Sequence, residues 1–140
     1  MRGGAEKSPE SFWHMSDSTD DLYREFIIEE YSNPQNKGQL PDADVVHKEE
    51  NASCGDMMTV YLKVQDNSLS DIKWSGIGCA ISVASMSLVS QYAKGKTFAE
   101  IQAVTKKDLE EVLGIRDISP NREKCLMLGL RAVQKAIIKL

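Results

Sequence analysis

Residues 58–76 read MTVYLKVQDNSLSDIKWSG, and their side chains alternate between apolar and polar in two runs. The first run, 58–65, and the second, 69–76, each predict a strand that buries one face. Asp66-Asn67-Ser68 between them indicates a tight turn, so we expect the two strands to pair antiparallel. Residues 44–49 predict a third, shorter strand upstream of them.

Helical spacing of apolar residues predicts five helices, one before these strands and four after them. Thr19 or Asp20 can cap the first helix, which should end near Tyr31 because proline in Asn33-Pro34 cannot continue it. Ser119-Pro120 is a typical opening for the last and longest helix. The remaining helices are expected from Cys79 to Gly95, over 98–104 and over 107–113. This order of elements predicts an α+β domain, in which helices cover a small, three-stranded antiparallel sheet.

Two of the predicted helices carry an apolar stripe that marks their buried face. In the helix after Cys79 the stripe consists of Ile81, Ala84, Leu88 and Tyr92. In the last helix it consists of Leu126, Leu130, Val133 and Ile137. We expect both stripes to be buried.

The composition limits the classes of protein to which the chain can belong. The 140 residues are 41% hydrophobic and 27% charged, which is typical of one globular domain. A net charge of −4 argues against a nucleic-acid-binding protein that works by neutralising phosphates. No apolar run reaches the roughly 18–20 residues that span a bilayer, so we expect no membrane association and a cytoplasmic protein.

The first residues differ in character from the rest of the chain. Residues 1–14 show no periodicity, and we interpret them as a leader added for expression, with Met15 as the natural initiator. Residues 15–140 are then expected to form a single domain. His14 falls in the leader, which leaves His47 as the only histidine of that domain.

Charge is distributed unevenly along the domain. The last helix carries a group of positive charges on Arg122, Lys124, Arg131, Lys135 and Lys139. These residues either complement the negative end of the helix dipole or form a docking face for an acidic partner.

Cys54, Cys79 and Cys125 each lie where one predicted element meets the next. Cysteines buried for packing prefer element interiors, whereas thiols in loops and at helix N-termini are reachable. The odd number excludes a closed disulfide framework, and no C-x-x-C pair of a zinc ribbon is present. If a metal binds, three thiolates need a fourth ligand, for which Asp56 is the first candidate and His47 the second. Inert packing residues are the alternative.

Four motifs, in order along the chain, carry a resemblance to a known family. They are Asn-Pro-Gln-Asn-Lys-Gly at 33–38, Ser-Cys-Gly-Asp at 53–56, Gly-Ile-Gly-Cys-Ala-Ile-Ser at 76–82 and Arg-Glu-Lys-Cys at 122–125. Together they resemble the IscU/SufU proteins, the NifU N-terminal-like family. The chain is closer to the SufU-type branch in its motifs, but it lacks the insertion that this branch usually carries between the second and third cysteines.

The resemblance implies a role in iron–sulfur cluster assembly. Sulfur would come from a pyridoxal-phosphate cysteine desulfurase and pass to recipient apo iron–sulfur proteins. By position, the resemblance implies that the ligands of zinc, of iron or of a [2Fe–2S] cluster are Cys54, Asp56, Cys79 and Cys125. We expect Cys54 to accept the sulfur, with Cys125 as the second candidate, and Asp56 to be the ligand that is displaced. Arg122 either helps to hold an anionic persulfide or is an ordinary solvated arginine.

Three functions fit these residues. The first is a scaffold on which iron and sulfide build a [2Fe–2S] cluster before it is handed over. The second is a zinc-dependent sulfurtransferase that relays persulfide sulfur and never holds a cluster. The third is a non-catalytic, zinc-stabilised interaction module, in which the cysteines serve folding alone.

Overall fold

The structure, a computed structural model, describes residues 16–52, 55–115 and 118–140. Its elements in chain order are α1 (Ser16–Ser32), β1 (Val45–Asn51), β2 (Asp56–Gln65), β3 (Ser68–Ile77), α2 (Ala80–Ala93), α3 (Phe98–Gln102), α4 (Lys106–Leu113) and α5 (Pro120–Ile138). The strands form one antiparallel sheet in the order β1-β2-β3. The predicted α+β class, with a small antiparallel sheet and a long C-terminal helix, is confirmed.

Alternation along β2 and β3 places one face of the sheet in the core. Met58, Val60 and Leu62 of β2 are completely buried, as are Ile72 and Trp74 of β3. The side chains that alternate with them, such as Thr59 and Tyr61 of β2, are only half-buried, as is common for antiparallel sheets. Among the described residues, no helix combines the length and the apolar composition that crossing a bilayer requires.

The turn between β2 and β3, together with a register shift close to it, determines which residues pair at the site. Asp66 and Asn67 have φ values of 52° and 62°, the left-handed conformation that a two-residue hairpin turn needs. Between Lys63 and Val64 the register shifts by one residue, so that Met57 pairs with Ile77 at the far end of the hairpin. The chain leaves β3 at that end and reaches Cys79 two residues later.

The first helix begins earlier than the sequence predicts. Its first residue is Ser16, so neither Thr19 nor Asp20 caps it. Serine, threonine and aspartate follow one another over residues 16–20, and each is a good cap, so the local signal does not select one. The C-terminal end agrees with the prediction, because the helix ends at Ser32, shortly before Pro34.

The predicted buried face of α2 is wrong in part. Ala84 is completely buried, but Tyr92 is 44% exposed, and Ile81 and Leu88 are only half-buried. The helix packs against α1, α5 and β3, so it is enclosed on more than one side. Its buried residues include four serines that a count of apolar residues cannot reveal: Ser82, Ser85, Ser87 and Ser90.

Three of these serines are satisfied by structural hydrogen bonds. Ser85 donates to the carbonyl oxygen of Leu126 at 2.7 Å, and Ser87 donates to Oε1 of Glu30 at 2.7 Å. Ser90 accepts a hydrogen bond from the Asn36 amide at 3.0 Å. Because buried hydroxyls need such partners, α2 can bury polar side chains while it fastens α1, α5 and the loop over 33–38.

The last helix agrees with its sequence signals. Ser119 caps it and accepts a hydrogen bond from the Arg122 N–H at 3.4 Å. The predicted stripe is buried at all four positions: Leu126, Leu130, Val133 and Ile137. At Gly129 a Cβ atom would lie 3.0 Å from Cα of Met86, so glycine allows α5 and α2 to approach closely.

Candidate metal centre

Three segments of the fold meet at the end of the sheet where β2 begins and β3 ends. Asp56 is the first residue of β2, and Cys79 immediately precedes α2. Cys125 lies in α5, which packs across β1 and β2. Because Met57 pairs with Ile77, the residues just outside this pair, Asp56 and Cys79, approach each other.

The structure brings three of the four predicted ligands together. A carboxylate oxygen of Asp56 and the Sγ atoms of Cys79 and Cys125 all lie within 4.8 Å of one another. Asp56 and Cys125 are 6% and 5% exposed, whereas Cys79 is exposed. Zinc accepts thiolate and carboxylate ligands at about 2.0–2.3 Å, which places tetrahedral ligands about 3–4 Å apart. These residues therefore fit zinc after small side-chain rotations, with access from the Cys79 side.

A serine missed by the sequence analysis lies between two of these candidate ligands. Ser82 Oγ donates a hydrogen bond to Oδ2 of Asp56 at 2.6 Å and lies 3.5 Å from Sγ of Cys79. Ser82 is completely buried. It follows Cys79 by three residues, which places both on the same side of the first turn of α2. This spacing in the motif at 76–82 is the signal that could have identified it.

Asn51 is a second residue near the site that the sequence analysis missed. It ends β1, is 7% exposed and lies opposite Asp56 in the register of the sheet. Its side-chain amide donates to Sγ of Cys125 at 4.0 Å, a long contact to a weak acceptor. The contact joins the end of the sheet to α5 next to the ligand atoms.

Two glycines allow the backbone to approach the ligands. A Cβ atom at Gly78 would lie 2.8 Å from Cβ of Ser82 and 3.3 Å from Cγ of Asp56. Gly76 has a φ of +150°, and a Cβ atom there would overlap the backbone oxygen of Met57. The motif at 76–82 therefore needs these glycines for space and conformation.

Cys54 lies outside the described residues, so its place among the ligands stays a prediction. The neighbouring residue, Gly55, has a φ of +73°, and its N–H donates to the carbonyl oxygen of Asn51 at 3.0 Å. Asp56 follows as the first residue of β2. The sequence thus assigns Cys54 to the short connection between β1 and β2.

His47, the second candidate for a fourth ligand, takes part in a different group. Its Nε2 lies 2.9 Å from Oε1 of Glu49, and Oε2 of Glu49 accepts a hydrogen bond from Lys135 Nζ at 2.7 Å. Burial raises the pKa of Glu49, but the hydrogen bonds from Lys135 and His47 outweigh it and hold that pKa below its usual value. In the part of the chain that is described, the cluster of possible metal ligands does not include His47.

Arg122 lies on the surface beside the candidate centre. It is exposed in the first turn of α5 and lines a groove of about 600 Å³. Arg24 of α1 and Ile118 line the same groove, together with Ala80, the residue that follows Cys79. An anionic group approaching Cys79 from this side would therefore meet a cation.

Comparisons with known proteins agree with the motifs. The family described as NifU-like N terminal domain matches residues 22–140. The iron-sulfur cluster assembly scaffold protein IscU 1 of Archaeoglobus fulgidus is 37% identical over 117 residues, which cover 84% of this chain and 75% of that protein. The zinc-dependent sulfurtransferase SufU of Bacillus subtilis is 34% identical over 136 residues, covering 86% of this chain and 92% of that protein.

Solved structures give the same answer for the fold. The SufU protein of Fervidobacterium islandicum superposes with a TM-score of 0.72 at 27% identity, covering 85% of this chain and 98% of that one. The N-terminal part of a NifU-like protein from Brucella abortus gives a TM-score of 0.71 at 25% identity, covering 86% and 95%. Motifs, fold and sequence match thus agree, and the chain belongs to the NifU-like N-terminal domain family.

Proposed function

We propose that the protein takes part in iron–sulfur cluster assembly through a site formed by Cys54, Asp56, Cys79 and Cys125. The observation that carries the proposal is the approach of an Asp56 oxygen and the sulfurs of Cys79 and Cys125 to within 4.8 Å. Relatives named as a cluster assembly scaffold and as a zinc-dependent sulfurtransferase support it. We assign the function to residues 15–140 as one domain, with 1–14 as a leader.

The donor set suits both zinc and an iron–sulfur cargo. A zinc ion held by these residues would keep the sulfur ligands deprotonated and would connect the β1–β2 segment to α2 and α5. Three thiolates and a carboxylate can equally hold a [2Fe–2S] cluster as cargo. Asp56 is the oxygen ligand among sulfurs, so it is the ligand that an incoming sulfur or iron displaces.

Sulfur transfer needs a reachable thiolate and a persulfide on a cysteine desulfurase. The thiolate attacks the outer sulfur of that persulfide and forms a new S–S bond. The S–S bond of the desulfurase breaks, and its cysteine leaves as a thiolate, so no oxidant is consumed. We assign the attacking sulfur to Cys54. Cys125, the second candidate, is 5% exposed, so a partner's persulfide has little access to it.

The partners follow from this chemistry. A cysteine desulfurase supplies the sulfur, and apo iron–sulfur proteins receive the product. We assign the reaction to the cytoplasm, because free thiols of this kind persist in a reducing compartment. The exposed positive charges of α5 lie on the element that carries Cys125, and we assign the docking of the desulfurase to them.

Anaerobic incubation with a cysteine desulfurase, cysteine and iron tests the proposal and separates its two forms. Zinc that stays bound, with a persulfide on the peptide that contains Cys54, supports the relay. Loss of zinc with the absorption of a [2Fe–2S] cluster supports the scaffold. If neither persulfide nor cluster forms and the cysteines serve folding alone, the protein is a zinc-stabilised interaction module and the proposal is wrong.

A further inference from the structure

We infer that Ser82 is a positioning residue for the metal site: its buried hydroxyl holds the carboxylate of Asp56 against the two cysteine sulfurs. The inference rests on the proposed function, since it requires Asp56 to be a ligand. It concerns a side chain that is not itself expected to bind the metal.

The hydrogen bonds of Ser82 both lead to candidate ligands. Its hydroxyl has a single proton. The distance of 2.6 Å between Ser82 Oγ and Oδ2 of Asp56 indicates that the hydroxyl donates this proton in a hydrogen bond to the carboxylate. Its oxygen then faces Sγ of Cys79 at 3.5 Å as an acceptor. The serine thereby fixes one oxygen of the carboxylate that approaches the sulfurs of Cys79 and Cys125 to within 4.8 Å.

The contacts of the neighbouring serines show that this arrangement is specific to position 82. All four buried serines of α2 are completely enclosed, but three of them bond to structural partners elsewhere: Ser85, Ser87 and Ser90. Of the four, Ser82 is the one that contacts an aspartate and a cysteine of the site. A hydroxyl serving helix packing alone would not need partners of this kind.

The surroundings of Ser82 restrict it to this role. Gly78 packs against its Cβ so closely that a side chain at 78 would displace either Ser82 or Asp56. Ser82 also lies in the first turn of α2, so the rigid helix fixes where its hydroxyl can reach. Residues that hold a ligand by a hydrogen bond from such a rigid element set the ligand's orientation before the metal arrives.

The test measures zinc affinity by competition with a chromophoric chelator in Ser82→Ala. Loss of a hydrogen bond to a ligand typically weakens metal binding about 10–100-fold, and we expect a loss in this range. Ser87→Ala is the matched control. It removes a buried hydroxyl from the same helix, but that hydroxyl donates its hydrogen bond to Glu30, so the zinc affinity should be unchanged. Cobalt-loaded protein should show shifted d–d bands in Ser82→Ala and parental bands in Ser87→Ala.

A double-mutant cycle separates positioning of the ligand from general support of the fold. If Ser82 acts through Asp56, adding Ser82→Ala to Asp56→Ala should cause no further loss of zinc affinity. A further loss equal to that of the single variant would overturn the inference. So would parental zinc affinity in Ser82→Ala together with weakened binding in Asp56→Ala, and the proposed site would then still stand.

The remaining outcomes are also decisive. Parental zinc affinity in Asp56→Ala itself would remove Asp56 from the ligands and contradict the proposed site. Circular dichroism of the metal-free variants checks that they are folded. If Ser82→Ala does not fold, Ser82→Thr keeps the hydroxyl, and the inference then requires this variant to bind zinc with parental cobalt bands.

Discussion

Asp56 is buried, and its carboxylate is the weakest metal ligand among the four that we propose. It is 6% exposed, and its Oδ2 already accepts a hydrogen bond from Ser82 at 2.6 Å. A buried carboxylate needs such compensation, and a positive ion beside it supplies more. Asp56 can therefore leave a metal without becoming an unpaired buried charge, because Ser82 still donates its hydrogen bond.

Replacement of Asp56 by alanine tests this role directly. We expect Asp56→Ala to retain zinc less tightly and to turn over sulfur poorly, because a site of sulfur ligands alone lacks an oxygen ligand that leaves easily. Desulfurase-dependent persulfide formation and zinc content measure both effects. Asp42→Ala removes an exposed carboxylate paired with Lys63 and serves as the control. Parental sulfur transfer and metal retention in Asp56→Ala would show that Asp56 has no such role.

Gly78 makes room for the contact between Ser82 and Asp56. An alanine there would place Cβ 2.8 Å from Cβ of Ser82, so we expect Gly78→Ala to destabilise the metal-free protein by about 1–3 kcal/mol and to weaken zinc binding. Urea unfolding and chelator competition measure the two effects. Gly129→Ala overpacks against Met86 elsewhere and should affect stability alone. Equal zinc affinities in both folded variants would contradict the account.

At the scale of the elements, β1 is fastened to α5 by a group of three side chains. Glu49 receives hydrogen bonds from His47 of its own strand and from Lys135 of α5. Despite the opposing effect of burial, they hold the pKa of Glu49 below its usual value. The ionised glutamate therefore stabilises the folded state at neutral pH, and this contribution is lost as the pH falls through the folded-state pKa.

The expected consequence is an acid-dependent loss of stability. Below about pH 4.3, the usual pKa of glutamate, the melting temperature of the metal-free parent should fall more steeply than that of Glu49→Gln. Glu50→Gln is the control, since Glu50 pairs with Lys48 on the exposed face of the same strand, where ion pairs contribute little. Parallel pH profiles for the parent and Glu49→Gln would disprove the contribution of Glu49.

The exposed side of α5 also has a predicted role. Lys124 and Arg131 are exposed and seven residues apart, which places them on one side of the helix. If this side docks an acidic surface of the desulfurase, replacing both residues by glutamate should reduce the stimulation of desulfurase activity by this protein. The reduction should be largest at low salt. Lys94→Glu combined with Lys107→Glu changes the net charge by the same amount at two exposed positions outside α5, and serves as the control. Unchanged stimulation at low salt would exclude this face from docking.

At the scale of the whole molecule, the sequence predicts the helices and strands better than it predicts the contacts that support the site. The hairpin of β2 and β3 is predictable because its alternation and its turn are local signals. The burial of Tyr92 is mispredicted, since apolar spacing does not reveal a helix that also buries hydrogen-bonded serines. Asn51 is missed because its partner Cys125 lies 74 residues away in the chain. The partner that gives Ser82 its role, Asp56, lies 26 residues away, so the local spacing to Cys79 is its one sequence signal.

The proposed site holds one metal between Cys54, Asp56, Cys79 and Cys125. X-ray absorption of the anaerobically prepared, zinc-loaded protein tests it most directly, because it counts and identifies the atoms around the ion. We expect three sulfur atoms at about 2.3 Å and one oxygen at about 2.0–2.2 Å. Fewer than three sulfurs, or the scattering pattern of an imidazole in place of the oxygen, would contradict it.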